Sequence, residues 1–273
     1  LITFAIKTMD IIKLIEQYKH LDLDQVIDHE KFNLISIVHH STRIEGSTLT
    51  EVETQVLLSE GLTPKGKPLH ESLMVTDHYA ALQYVLEQAK TNSPITPQFI
   101  QKLNSLIVKN TASTYNTVFG TIDAATGAFR KGNVVAGDTY FPNFDKVETL
   151  TKNLASDLAK RMQQDLTVRE KLNLSYDAHF NLVSIHPFYD GNGRTSRLLM
   201  NYIQAVYELP LAIVHNETKT DYYQALIDTR KHEDINIFRK FMDEEYIGHL
   251  STEINKFEEM KYPKKGRGFT FLF

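Results

Sequence analysis

The chain has 273 residues, enough to bury a sizeable core as one domain. Its 30 basic and 34 acidic residues leave a formal net charge of −4, which excludes a general electrostatic attraction to nucleic acid or an anionic membrane, so any polyanion must meet a local site. There are no cysteines, which excludes disulfides and thiolate zinc sites and fits a reducing, cytoplasmic setting, and the apolar runs are too short to cross a bilayer.

The opening LITFAIKTMD has no cationic region followed by a small-residue cleavage site, and reads as sequence upstream of a start at Met9 rather than as an export signal. From there amphipathic spacing predicts helix after helix. Ile11, Ile12, Leu14 and Ile15 recur at helical intervals in DIIKLIEQYK. Further helices are expected over 24–45, in TEVETQVLLSE from Thr50, in ESLMVTDHYAALQYVLEQAK from Glu71 and in TPQFIQKLNSLIVKN from Thr96. FDKVETLTKNLASDLAKRMQQ from Phe144 adds another, and LNLSYDAHFNLVSIH and RTSRLLMNYIQAVYE form a pair either side of residue 190. Stretches such as GLTPKGKP and NSP supply the breaks. The fold class is all-α.

Thr114 to Phe144 resists the helical reading, with Gly120, Gly127, Gly132 and Gly137 among β-branched residues that include Val134 and Val135. It reads as a loop with a short hairpin, and taken alone it suits a mobile surface loop as well as a binding element. The end, YPKKGRGFTFLF, offers a docking strand, a homodimer contact or a tail packed on the body, and the sequence does not choose among them.

The densest chemistry is HPFYDGNGRTSR, His186 to Arg197. Pro187 ends the helix that carries His186, leaving a near-neutral imidazole at a helix-to-loop junction, where it can take a proton from a hydroxyl. Asp190 is one carboxylate beside a glycine bend, the way proteins hold magnesium when substrate phosphates complete the shell. Gly191 and Gly193 permit positive φ and close backbone approach, and the helix that follows turns its unpaired N–H groups to the loop as an anion hole. Arg194 and Arg197 sit one turn apart near that helix start, where cations oppose the helix dipole unless an anion lies between them. Singly these are a capping histidine, a turn aspartate and an ordinary glycine turn. In one uninterrupted string they point to a polyphosphate.

The string also resembles the HPFx(D/E)GNGRxxR signature of the Fic family, matching every defining position. The resemblance covers about residues 30 to 245 and implies the Fic fold, a helical bundle with a short β-hairpin flap. It further implies transfer of AMP from ATP to a Ser, Thr or Tyr hydroxyl of a target protein, or of the chain itself, with release of pyrophosphate. On that basis His186 is the general base, Asp190 the Mg2+ ligand, and Gly191, Asn192 and Gly193 the anion hole. Arg194, with Thr195 and Ser196 in the same turn, and Arg197 complete the ATP site. GAFRKGNVVAG, Gly127 to Gly137, is similar to the family's flap, so Val134, Val135, Ala136 and Gly137 lie along the nucleotide and offer a strand edge to the target. DYYQAL matches a family tyrosine pair, which assigns Tyr222 and Tyr223 to the adenosine. Arg230 departs from the pattern, since many relatives carry an asparagine there.

A second string, STRIEG from Ser41 to Gly46, resembles the family's (S/T)xxxE(G/N) inhibitory motif. Ser41 and Glu45 share one helix face, and Gly46 suits the left-handed position that ends a helix. Glu45 paired with Arg197 would withhold that arginine from the γ-phosphate. Some relatives with this motif also remove AMP, which the sequence does not separate from inhibition. The resemblance divides the chain into N-terminal helices over 1–95, a catalytic domain over 96–245 and a helix end with its tail over 246–273.

Kinase or phosphocholine transfer on the same scaffold, and a non-catalytic nucleotide-binding regulator, are the competing readings. The intact GNGR loop opposes the kinase type and the intact His186 opposes the regulator. A hydrolase metal held by His179 and His186 fails, because seven residues place them about 10 Å apart on one helix face. The short remainder after residue 245 leaves little room for a DNA-reading helix-turn-helix.

Overall fold

The computed structural model describes residues 10–21, 29–117, 120–137 and 139–261. The stretch up to Met9, the start of the helix expected from residue 24 and the tail from Tyr262 lie outside the described residues.

Among the described residues the first five helices are α1 (Ile11–Lys19), α2 (His29–Ile44), α3 (Glu51–Glu60), α4 (Leu69–Lys90) and α5 (Pro97–Ile107). Their starts follow from local chemistry. The Asp10 carboxylate accepts from Ile12 N ahead of α1, Thr50 and Glu53 close a reciprocal capping box at α3, and Thr96 caps α5 with Pro97 at its first position. α2 ends in a Schellman turn, in which Gly46 N donates to Arg43 O and Ser47 N to Thr42 O, with Gly46 at φ 104. That turn places Glu45 immediately after the last helical residue, Ile44, and its carboxylate reaches Arg197.

The non-helical stretch holds two hairpins rather than the expected one. β1 (Thr114–Thr117) pairs with β2 (Gly120–Asp123), and β3 (Val135–Ala136) pairs with β4 (Thr139–Tyr140), both antiparallel. α6 (Phe144–Arg161), α7 (Val168–Ile185), α8 (Asn192–Val206), α9 (Lys219–His232) and α10 (Ile235–Lys261) follow. α7 starts well upstream of the stretch LNLSYDAH, at a Thr167–Glu170 capping box, and α10 runs unbroken through residue 245.

α7 and α8 form a hairpin wedged between two apolar cores. One gathers Val38, Val75, Leu82, Ile100 and Leu103 against Leu182 and Leu199; the other gathers Leu14, Phe238, Met242 and Tyr246 against Tyr176, Val183 and Met200. Each such side chain contributes about 1.5–3 kcal/mol on burial. Neither helix can shift without opening both cores, so the loop joining them, residues 186–191, is held rigidly at both ends. Among the described residues no helix is long and apolar enough to cross a membrane.

Candidate active site

His186 is the residue that ends α7, and its backbone takes the left-handed conformation at φ 52. A non-glycine residue there is unusual, and it is pinned: its carbonyl accepts from Arg130 Nε at 2.8 Å. The imidazole lies flat on Phe141, with ring centroids 3.9 Å apart, and its Nδ1 is 3.3 Å from the Val183 carbonyl. A carbonyl can only accept, so Nδ1 carries the proton and Nε2 is left as a basic lone pair. Burial pushes the pKa down to about 4 against the opposing pull of the Val183 bond, which keeps the ring neutral near pH 7.

Gly191, at φ 76, precedes the first turn of α8, and a Cβ there would meet Val108 Cγ1 at 2.8 Å and Asn104 Nδ2 at 2.9 Å. Only glycine lets the loop approach α5 this closely. The Asn192 side chain accepts from Phe188 N and donates to Phe188 O, both at 2.9 Å, so it staples the loop and leaves its backbone N–H for the anion hole. Asp190 accepts from Gly191 N at 2.6 Å, and its side chain stays 45% exposed at the mouth. Arg194 is buried, reaching Ile107 O at 3.3 Å and Asp190 Oδ1 at 3.5 Å, while its Nε has no partner among the described residues. Thr195 and Ser196 are fully buried and donate to Gly191 O and Asn192 O. Their hydroxyls face the bundle, and the structure brings neither side chain to the cleft.

Arg197 is bound on several sides. Nη2 donates to Glu45 Oε1 at 2.6 Å and to the Ser41 carbonyl at 3.0 Å, Nε donates to Ser41 Oγ at 2.8 Å, and Nη1 reaches the Tyr222 hydroxyl at 3.5 Å. A Cβ on Gly193 would fall 2.5 Å from Glu45 Oε1, so the carboxylate rests against the first turn of α8, where the helix favours an anion. Burial raises the Glu45 pKa, but Arg197 and then Arg194 outweigh it, and the group lies below the ordinary carboxylate value. STRIEG and the last residue of the loop motif thus meet in space.

The cleft beside them is a cavity of about 460 Å³, within the range that small-molecule sites occupy. Glu45, Gly193 and Arg197 line one end, His186 and Phe141 the middle, Ala136, Gly137 and Thr139 the flap side, and Tyr223, Leu226 and Arg230 the wall from α9. Tyr222 is buried, its hydroxyl 3.0 Å from His179 Nε2, whereas Tyr223 is 40% exposed at the rim. Val134 is half-buried beside the flap, and Val135 and Tyr140, opposite each other on β3 and β4, are exposed. His179 is fully buried and stacked on Phe238, away from any metal role with His186.

Three residues that support the site were not singled out from sequence. Arg130, 1% exposed, donates to His186 O, Gly132 O and Pro142 O, tying the flap to the loop. Asn104 donates to Asp190 O at 2.9 Å and Thr195 Oγ1 at 3.1 Å, and Phe141 backs the imidazole. Arg130 lies inside a stretch already matched to the flap, which was a signal; Asn104 and Phe141 carried none.

Fold and site together define a Fic-type helical domain. The Fic/DOC family model matches residues 94–204. The chain is 28% identical over 235 residues to the protein adenylyltransferase Fic of Drosophila mojavensis, covering 81% of this chain and 44% of that protein. It is 30% identical over 190 residues to the protein of the same name from Drosophila willistoni, covering 69% and 35%. The chain thus spans less than half the length of these curated relatives. A Fic domain containing signaling protein from Bacteroides thetaiotaomicron superposes with a TM-score of 0.76 at 23% identity, covering 91% of this chain and 97% of that one. Fic-1 from C. elegans does so with a TM-score of 0.73 at 24% identity, covering 92% and 71%. These likenesses establish the fold, and the chain belongs to the Fic/DOC family.

Proposed function

We propose that this protein is a protein adenylyltransferase held inactive by its own Glu45. The observation that carries this reading is the capture of Arg197 by Glu45 and Ser41 at the mouth of a cleft that also presents a free His186 Nε2. The name shared by its curated relatives, protein adenylyltransferase, supports it.

With Glu45 withdrawn, the N–H groups at the start of α8, together with Arg194 and Arg197, receive the phosphates of ATP. His186 Nε2 takes the proton of a target hydroxyl as that oxygen bonds to the α-phosphorus. The bond from the α-phosphorus to the bridging oxygen breaks, and pyrophosphate leaves with the electron pair. Positioning and a prearranged anion cradle supply most of the rate in such a transfer. The exposed edges of Val135 and Tyr140 suit an extended segment of the target lying against the flap.

Magnesium fits the donor set. Asp190 is a single exposed carboxylate beside the anion cradle, and among the described residues no three His, Cys, Asp or Glu side chains are placed to hold a metal by themselves. A cation there relies on substrate phosphates and water for the rest of its shell, as magnesium does. Bound, it would neutralise charge on the α- and β-phosphates.

Mass spectrometry of the Glu45→Gly protein after incubation with ATP tests the reading. An AMP adduct on the chain or on a target supports it. A phosphate adduct in its place overturns it.

A further inference from the structure

At the end of the cleft away from Arg197, Arg230 is a cation with no counter-ion among the described residues. α9 sets Tyr222, Tyr223, Leu226, Ile227 and Arg230 along one wall, and the eight steps from Tyr222 to Arg230 span about 12 Å of helix. The half-buried guanidinium donates through Nη1 to Ser184 Oγ at 3.3 Å, and among the described residues no carboxylate pairs with it. Asp177 borders its outer side but is taken up by Arg239 at 2.7 and 2.8 Å and by Arg161 at 3.5 Å. Burial pushes the Arg230 pKa down, with the nearby Tyr222 opposing, so the cation is kept here at a cost in solvation. A group held in a cavity on those terms awaits an acceptor-rich ligand.

This step rests on the proposed function. With the phosphates at the start of α8 and His186 at the reacting phosphorus, the base of the nucleotide falls against Leu226, Ile227 and Arg230. A guanidinium presents several donors in a planar fork and no acceptor. Guanine offers that fork two neighbouring acceptors, O6 and N7. Adenine offers N7 beside an amino group that is itself a donor. We propose that Arg230 reads the base edge and admits guanine, so that the chain takes GTP at least as well as ATP and transfers GMP as well as AMP. The transfer balances as before, with the target oxygen bonded to the α-phosphorus, its proton on His186 and pyrophosphate released.

Equilibrium titration of ATP and of GTP, with magnesium, into the Glu45→Gly/His186→Ala protein separates binding from chemistry. The expected result is a Kd for GTP equal to or below that for ATP. Adding Arg230→Lys keeps the charge and removes the fork, and the ratio of the ATP Kd to the GTP Kd should fall by about tenfold, a change of about 1.4 kcal/mol. Thermal denaturation of the same samples reports whether the lysine variant is folded; if it is not, the ratio measured with Arg230 in place decides. ATP binding tenfold tighter than GTP, or a ratio indifferent to the lysine, overturns the role of Arg230 and leaves the adenylyltransferase reading standing. Binding of neither nucleotide overturns both.

Discussion

Arg197 of α8 donates to Glu45 Oε1 at 2.6 Å, joining two residues that lie 152 positions apart in the chain. The arginine side chain is 4% exposed and the glutamate 27%, so the pair is largely withdrawn from water. A buried guanidinium that loses its carboxylate must find another anion, and the first turn of α8 is where a phosphate would supply it. The same charge balance that stabilises the resting chain thereby competes with substrate.

Removing the carboxylate should therefore cost stability while opening the site. Glu45→Ala is expected to destabilise the chain by about 1–3 kcal/mol, less than for a fully buried pair because Glu45 is partly exposed. ATP with magnesium should restore much of the loss. Differential scanning fluorimetry with and without nucleotide checks both, and a variant as stable as wild type with no nucleotide response would contradict the balance.

Ser41 holds Arg197 through its hydroxyl and its carbonyl, and only the hydroxyl can be removed by substitution. A hydrogen bond from a charged donor contributes about 1.5–3 kcal/mol. Ser41→Ala should thus release the brake in part, giving self-labelling between that of wild type and Glu45→Gly. Labelling equal to wild type would show that Glu45 alone sets the restraint.

Gly193 is needed by whichever anion sits on α8. A Cβ there would fall 2.5 Å from Glu45 Oε1 and 3.2 Å from Arg197 Nη1. Gly193→Ala introduced into the Glu45→Gly protein should lower the initial rate of labelling by roughly tenfold or more, since a phosphate needs the same space. An undiminished rate would place the phosphates elsewhere.

Much of this site was legible in the sequence because its chemistry is contiguous. His186, Asp190, Gly191 and Gly193 work from one loop, and the local rules for proline, glycine and helix starts apply within a few residues. Glu45 was readable only by resemblance, since no periodicity links position 45 to position 197. Thr195 and Ser196 followed the loop into the expected ATP site, yet α8 is buried on nearly every side and turns those hydroxyls to its own carbonyls. Arg194 and Arg197 were expected at the phosphate site, and the structure buries both, together with Asn201 and Gln204 further along α8. Asn104 and Phe141 reach the loop from distant elements, and two hairpins form where one was expected.

The state of His186 fixes a pH dependence. Burial holds its pKa down to about 4, and the neutral ring is the active base. For the Glu45→Gly protein, kcat/KM should show no titration of this group between about pH 8 and pH 5.5 and should fall as pH approaches 4. A midpoint near 6.5 would mean that the imidazole is not enclosed as described.

Stability should carry the same sign. His39, His186 and His249 each have a pKa lowered from 6.5 to about 4, chiefly by burial, so the unfolded chain binds more protons between those values. Their contribution is fully present above 6.5 and is lost as pH falls toward 4. The Tm should decline over that window, and a Tm that rises on acidification would contradict the burial of these rings.

The central claim is that Arg197 serves Glu45 or a triphosphate but not both, with His186 acting on a hydroxyl at the α-phosphorus. The most direct measurement incubates wild type, Glu45→Gly and Glu45→Gly/His186→Ala with ATP labelled at either the α- or the γ-phosphate and counts label retained on protein. The account predicts retention of α-label by the Glu45→Gly protein alone, well above wild type, with no γ-label in any sample. Equal α-labelling of wild type and Glu45→Gly, labelling that survives without His186, or retention of γ-label would contradict it.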